Sequence, residues 1–270
     1  MAKSIFITGG ASGIGRAMAQ RFAREGWIVG LADLEEAGMR ATAALLAEDC
    51  ATLHRLDVRD PAQWDAALAD FAQRTGGGIT VVANNAGVPC GGPLEELALD
   101  EIDRVLAVNL SGVLYGARAA LPYLKIAAPG ACLLNTASAA ALYGMANQSV
   151  YGASKAGVRS LTECLDCEWA GHGISVRSLM PSFIDTPLLR HAPNRSRNAP
   201  IRDAVVDAGL EFTPVETVAD AAWDAVHGKA VHTVVGKTAR KMRRIAKWMP
   251  SLLARRSRLL QNAGDGAERR

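Results

Sequence analysis

The sequence predicts an α/β fold, a parallel sheet of seven strands with helices on both faces. Three observations carry this expectation. Short β-rich runs at 4–8, 27–32, 52–56, 79–83, 131–135, 174–180 and 231–235 alternate with segments of helical spacing, and such alternation implies a parallel sheet covered on both sides. The first run leads directly into Gly9-Gly10-Ala11-Ser12-Gly13-Ile14-Gly15. The residues able to do chemistry fall at the carboxyl ends of the strands, the edge where open α/β sheets bind ligands.

Composition sets the bounds. The 270 residues, 49% apolar and 21% charged, match an ordinary globular protein with ample core. No apolar run reaches the roughly 18 residues of a membrane span. The opening residues are broken by glycine too soon for a signal peptide. Five scattered cysteines point to a reducing compartment, the cytoplasm, and to no disulfide framework. Cys164 and Cys167 lie within a helical pattern without a second pair or histidine cluster, so a buried structural role is expected and no metal. The net charge of +3 hides an asymmetry: residues 237–270 hold eleven basic and two acidic residues, and the first 236 hold nineteen and twenty-five. The expected organisation is one domain at 1–236 and a basic, helical extension at 237–270.

Taken in order, strand 4–8 is short and apolar, as a buried strand should be. The glycines after it let the backbone turn tightly and approach a pyrophosphate, and the helix at 16–25 offers its N-terminal N–H groups to that charge. A glycine-rich loop without a ligand is the plainer alternative. Strand 27–32 ends at Asp33, about twenty positions past the glycines, where an acid can bind ribose hydroxyls and repel a 2′-phosphate. Asp33 is equally placed to cap a helix over 34–46. Strand 52–56 ends at Asp57-Val58, and Asp60-Pro61 starts a helix to about Arg74, since Asp caps well and Pro suits a first turn.

Strand 79–83 is followed by Asn84-Asn85-Ala86-Gly87, then by a long helix over 99–125 with Asn109 in its middle. Asn competes for backbone hydrogen bonds and is a poor mid-helix residue; a local inconsistency of this kind is expected at functional positions. Strand 131–135 leads to Thr136-Ala137-Ser138. The next helix, 151–170, opens with Tyr151-Gly152-Ala153-Ser154-Lys155. Tyr and Lys four apart lie on one helix face, and a nearby ammonium lowers a phenol's pKa, so the pair can serve proton transfer. The pattern alone is common. Strand 174–180 ends in Pro181-Ser182-Phe183-Ile184-Asp185-Thr186. Residues 190–213 read as a polar, mobile loop or lid, and 217–227 as a helix before the last strand.

Together, Thr8-Gly9-x-x-x-Gly13-x-Gly15, Asn84-Asn85-Ala86-Gly87, Asn109, Ser138 and Tyr151-x-x-x-Lys155 resemble the short-chain dehydrogenase/reductase family, in its compact oxidoreductase branch, over about 3–236. The resemblance implies a Rossmann-type doubly wound sheet and hydride exchange between a nicotinamide dinucleotide and a secondary alcohol or ketone. It implies Tyr151 as acid/base, with Ser138 holding the reacting oxygen. Lys155 would lower the Tyr151 pKa and bind the nicotinamide ribose, and Asn109 would kink its helix and hold a water leading from Lys155 to solvent. Cofactor contacts would come from Gly9, Ser12, Gly13, Ile14, Gly15, Asp33, Leu34, Asp57, Val58, Asn85, Ala86, Gly87, Pro181, Ile184 and Thr186. Asp33, with Ala11 where NADP-preferring members often carry a basic residue, favours NAD over NADP. Ser182 departs from the glycine that often follows the proline. The family also implies a homodimer or homotetramer.

Val88, Pro89, Cys90, Ala140, Leu142, Tyr143, Phe183, Leu188 and Leu189 are the expected pocket walls. They are mostly apolar, which points to a bulky lipophilic or aromatic substrate. In the tail, Met242, Ile245, Met249, Leu252 and Leu253 recur at helical spacing among basic residues. Such a helix covers its own domain or a partner subunit, or lies on an anionic membrane through 237–260; nucleic-acid binding has only charge behind it. Two further readings stay open at this point, a membrane-apposed lipid or steroid dehydrogenase and a non-catalytic dinucleotide sensor. The intact Asn109, Ser138, Tyr151 and Lys155 argue against the sensor.

Overall fold

The computed structural model describes residues 2–255, 257 and 258. Seven strands, β1 (Ser4–Thr8), β2 (Ile28–Asp33), β3 (Ala51–Arg55), β4 (Val81–Asn84), β5 (Ala131–Thr136), β6 (Ile174–Pro181) and β7 (His232–Val235), form one parallel sheet in the order β3-β2-β1-β4-β5-β6-β7. The order reverses between β1 and β4. At such a switch point the connections leave in opposite directions and open a crevice beyond the strand ends. Every residue of β1, β4 and β5 is buried, as a sheet covered on both faces requires.

One face carries α1 (Gly13–Ala23), α2 (Glu36–Ala43) and α8 (Val215–His227), with Met18, Phe22, Met39, Val218 and Ala222 packed on Ile5, Ile7, Val29 and Leu31. The other carries α3 (Pro61–Thr75), α5 (Gly112–Ala127) and α6 (Ser149–Trp169), where Trp64, Leu68, Phe71 and Leu124 meet Phe6, Val82 and Leu133. Asp60 caps α3 through Ala62 and Gln63, with Pro61 at the first position. Helix α2 is shorter than expected, because the chain turns out of the helix after Ala43.

The helix expected over 99–125 has three parts: α4 (Leu99–Leu106), one π-helical turn at Ala107–Ser111, and α5. This stretch, Leu99–Ala127, is long and apolar enough to cross a membrane. Val113, Ala117, Ala120 and Leu124 are nonetheless buried within the fold.

Two segments differ from what their sequence suggests. Residues 190–213 contain a helix, α7 (Ile201–Asp207), and are fastened to the loop after β4. Gly91 N–H donates to the Pro193 carbonyl, Asn194 Nδ2 to the Gly91 carbonyl, and Arg195 pairs with Asp100. Cys164 and Cys167 are exposed, because α6 buries the side bearing Val158, Thr162 and Trp169. All five thiols are free.

Candidate active site

The loop between β1 and α1 is shaped by backbone contacts that exclude side chains. Gly9 has φ +69°, a conformation that glycine adopts without steric cost. A Cβ on Gly15 would lie 2.0 Å from the Gly9 carbonyl oxygen. Thr8 fastens the loop to the next strand end. Its hydroxyl donates to the Ala83 carbonyl and accepts from the N–H groups of Asn85 and Ala86 at 3.0 and 3.1 Å. Asn85 returns a bond from Nδ2 to the Thr8 carbonyl at 2.9 Å. Thr186 stands against Gly13, within 3.2 Å of where a Cβ would be, so the chain beyond β6 closes over the glycine loop. Gly15→Ala must push the turn apart. It is expected to lower stability in urea by about 1–3 kcal/mol.

Asp33 ends β2. Its Oδ2 accepts from Ala11 N–H at 3.0 Å and its Oδ1 from Glu35 N–H at 3.1 Å. Asp33 thus supports the turn into α2 and the glycine loop at once. Leu34, beside it, is 46% exposed while Val58 is buried. Asp57 carries a partner that the sequence reading did not assign. Arg59 grips its carboxylate with Nε at 2.9 Å and Nη2 at 2.6 Å, and this holds the Asp57 carboxyl below the usual range. The Asp57 N–H is donated to Gln63.

Asn109 sits in the π turn, fully buried. Its Oδ1 accepts from Val88 N–H and its Nδ2 donates to the Val88 carbonyl, both at 2.9 Å. The mid-helix Asn therefore ties the widened turn to the loop after β4. A Cβ on Gly87 would be 3.2 Å from Asn109 Oδ1 and 3.6 Å from Lys155 Nζ, which brings these three residues together.

Ser138 follows β5 and caps a short 3₁₀ turn, accepting from Ala140 N–H at 3.2 Å. The Tyr151 phenol lies close enough for the Ser138 side chain to pull its pKa down. Lys155 Nζ donates to the Thr136 carbonyl at 2.9 Å and lies 5.9 Å from the centre of the Tyr151 ring. Burial pushes the Tyr151 phenol up from 10, and Ser138 pulls it the other way. Lys155 itself is drawn to the strand-end carbonyl of Thr136. Thr136, which also donates from Oγ1 to Asn85 Oδ1 at 3.2 Å, had no sequence signal. Behind it, Asn84 Nδ2 donates to Asn135 and Asn135 Nδ2 to Thr162, each at 3.0 Å.

Burial brings the Lys155 ammonium down from 10.5 to about 8. The charged form is thus disfavoured in the folded chain, by about 3 kcal/mol at pH 7. That cost is present below pH 8 and fades as pH rises from 8 to 10.5, where the unfolded chain also loses the proton. Lys155→Met removes it and forfeits a hydrogen bond of about 1–2 kcal/mol. The variant is expected to be about 1–2 kcal/mol more stable than the parent at pH 7, with the advantage gone by pH 10.5. Urea unfolding at the two pH values checks this.

Of the expected pocket walls, Cys90 and Leu189 are buried in the core instead, and Leu142 packs with Ala137, Ala141 and Met180. Val88, Pro89, Ala140, Tyr143, Phe183 and Leu188 keep partial exposure, as Tyr151 does. Pro181 ends β6 and pairs with Val235, and Ile184 is buried. Ser182 fits without a glycine, its N–H bonded to the Val235 carbonyl and its hydroxyl 3.4 Å from that of Thr213. Among the described residues no cluster of His, Cys, Asp and Glu could hold a metal.

Residues 3–197 match the family model described as short chain dehydrogenase. The chain is a short-chain dehydrogenase/reductase. It is 38% identical to a 3-alpha-(or 20-beta)-hydroxysteroid dehydrogenase of Mycobacterium tuberculosis, over 71% of this chain and 72% of that protein. It is 35% identical to a 2,5-dichloro-2,5-cyclohexadiene-1,4-diol dehydrogenase of Sphingobium indicum, over 71% of this chain and 76% of the relative. Among solved structures, a short-chain dehydrogenase/reductase from Burkholderia phymatum in complex with NAD superposes with a TM-score of 0.79 at 29% identity, covering 90% of this chain and 92% of that one. This short-chain dehydrogenase/reductase is therefore an oxidoreductase of alcohols and ketones that uses a nicotinamide dinucleotide.

Proposed function

We propose that the chain interconverts a bulky, hydrophobic secondary alcohol and its ketone, with NAD preferred over NADP and Tyr151 as acid/base. The observation that carries the reading is the convergence of Tyr151, Ser138, Lys155 and Asn109 beside a glycine cradle whose crowded backbone suits a pyrophosphate. Gly9, Ser12, Gly13, Ile14 and Gly15 would hold the pyrophosphate, and Asp33 the adenosine ribose. Leu34, Asp57 and Val58 would border the adenine, Asn85, Ala86 and Gly87 the adenosine side, and Pro181, Ile184 and Thr186 the nicotinamide amide. The bound nicotinamide supplies or accepts the hydride.

The chain's own residues manage the oxygen. In reduction, Tyr151 Oη gives its proton to the carbonyl oxygen while the Ser138 hydroxyl donates a hydrogen bond to the same atom. In oxidation Tyr151 takes the proton back. Lys155, once it holds the nicotinamide ribose, places a positive charge on the Tyr151 face and favours the phenolate. Asn109 keeps the loop after β4 in place and would hold the water that passes protons from Lys155 outward.

The half-exposed apolar rim of Val88, Tyr143, Phe183 and Leu188 favours a bulky lipophilic substrate. The steroid and halogenated cyclic diol dehydrogenases among the relatives agree with that class. Comparing kcat/KM for cyclic and steroid secondary alcohols with that for short polar ones tests it. A preference for the short polar set would refute the substrate class. A cytoplasmic setting accords with five free thiols. A homodimer or homotetramer accords with the exposed Leu114 and Tyr115 of α5, which line a groove with Leu161 and Leu165 of α6.

A further inference from the structure

The C-terminal helix α9 (Lys237–Trp248) has two dissimilar sides. Ala239 is fully buried and packs with Ala137 and Ala141, which lie on either side of Ser138 in the chain. Helical backbone resumes over 250–255. Leu253 and Ser257 are buried, and the Ser257 hydroxyl accepts from Ala146 N–H at 2.8 Å. The described part of the tail is thus held at Ala239 and again at Leu253 and Ser257.

Among the described residues, the side away from Ala239 has no partner. At helical spacing, Arg240, Lys241, Arg244 and Trp248 share it, and all four are exposed. Trp248 is 73% exposed, Met249 52% and Leu252 46%, so three large apolar side chains within five residues of sequence face solvent. Lys247 Nζ lies 4.9 Å from the centre of a Trp248 ring. Lys237 pairs with Glu211 at 3.4 Å, whereas Arg240, Lys241, Arg243 and Arg244 have no ion-pair partner among the described residues. No acidic residue lies between Lys237 and Arg258.

We infer that this outer face docks on an anionic lipid bilayer, with Trp248, Met249 and Leu252 entering the interface and the surrounding Lys and Arg facing the headgroups. Each half of the surface asks for the same partner. Cations beside an anionic leaflet are attracted within a Debye length, and an amphipathic helix with Trp and aliphatic residues on its apolar side buries them at the headgroup boundary. A second copy of the tail would bring like charges together. A nucleic acid would use the cations but leave Met249 and Leu252 unburied. The inference is independent of the catalytic reading, since it concerns only the exposed side of the tail.

The test is co-sedimentation of the full chain with vesicles of phosphatidylcholine alone and of phosphatidylcholine mixed with phosphatidylglycerol. Pelleting is expected only with the mixed vesicles, and it should weaken as salt shortens the screening length from about 10 Å at 0.1 M to about 3 Å at 1 M. Each neutralised cation is expected to lower partitioning by about fivefold, so the combined Arg240→Gln, Lys241→Gln, Arg244→Gln and Lys247→Gln variant should remain in the supernatant. Trp248→Ala should weaken pelleting while leaving the charge intact. These side chains are exposed, so an unchanged thermal midpoint is expected and certifies the fold. Equal pelleting with both vesicles, pelleting with neither, or capture by a single-stranded oligonucleotide without pelleting would overturn the inference. So would undiminished pelleting of the fourfold variant.

Discussion

Tyr151→Phe is expected to bind NAD as the parent does and to lose about 10²–10⁴-fold in kcat. The change deletes one oxygen and keeps the ring. The phenol is the group whose pKa Ser138 shifts, and a phenyl ring has no proton to give or take. The split between binding and turnover is the informative part. Cofactor affinity measured by quenching of protein fluorescence should hold, because the glycine loop and Asp33 are untouched. Equal loss of binding and turnover would mean that the substitution disturbs the site as a whole. Ser138→Ala should give a smaller loss, since it removes one hydrogen bond to the reacting oxygen and leaves the proton donor in place.

Asp33→Asn is expected to relax the choice between NAD and NADP. The carboxylate can accept from both ribose hydroxyls, and hydrogen bonds to a charged group contribute about 1.5–3 kcal/mol, so NAD affinity should fall by about tenfold or more. NADP should gain. A carboxylate about 5 Å from a doubly charged 2′-phosphate is repelled by roughly 2 kcal/mol even at the dielectric constant of water, and Asn removes that repulsion. Asn also keeps an oxygen for Ala11 N–H or Glu35 N–H, the bonds that Asp33 makes in the fold, so it is a gentler test than Ala. Calorimetric titration with each coenzyme checks both halves. An unchanged NAD-to-NADP ratio would mean that Asp33 serves the turn into α2 and nothing more.

Much of the fold was legible because the β-rich runs are short and alternate with helical segments. Such runs have few ways to pack, and each strand was placed within two residues of where the structure puts it. Asn109 was legible as an anomaly, and the anomaly proved to be a π turn bonded to Val88. What stayed hidden was tertiary. Arg59 lies two residues past Asp57, yet nothing in the sequence says that its side chain folds back. The Thr136 carbonyl captures Lys155 only because β5 ends beneath α6. The exposure of Cys164 and Cys167 depends on which side of α6 meets the sheet. Residues 190–213 carry too little apolar periodicity to announce α7, and this segment is fastened by long-range contacts, Asn194 to Gly91 and Arg195 to Asp100. In the tail the apolar spacing was visible, but Ala239, Leu253 and Ser257 make the anchoring contacts, whereas Met249 and Leu252 face outward.

The most direct test of the central claim is the absorbance of reduced nicotinamide when the purified chain is given a bulky secondary alcohol with NAD, and separately with NADP. Growth of the reduced band is expected with NAD, slower growth with NADP, and near silence from Tyr151→Phe with either. Binding of both coenzymes without reduction across cyclic, steroid and aromatic secondary alcohols would contradict that claim, as would turnover that survives in Tyr151→Phe.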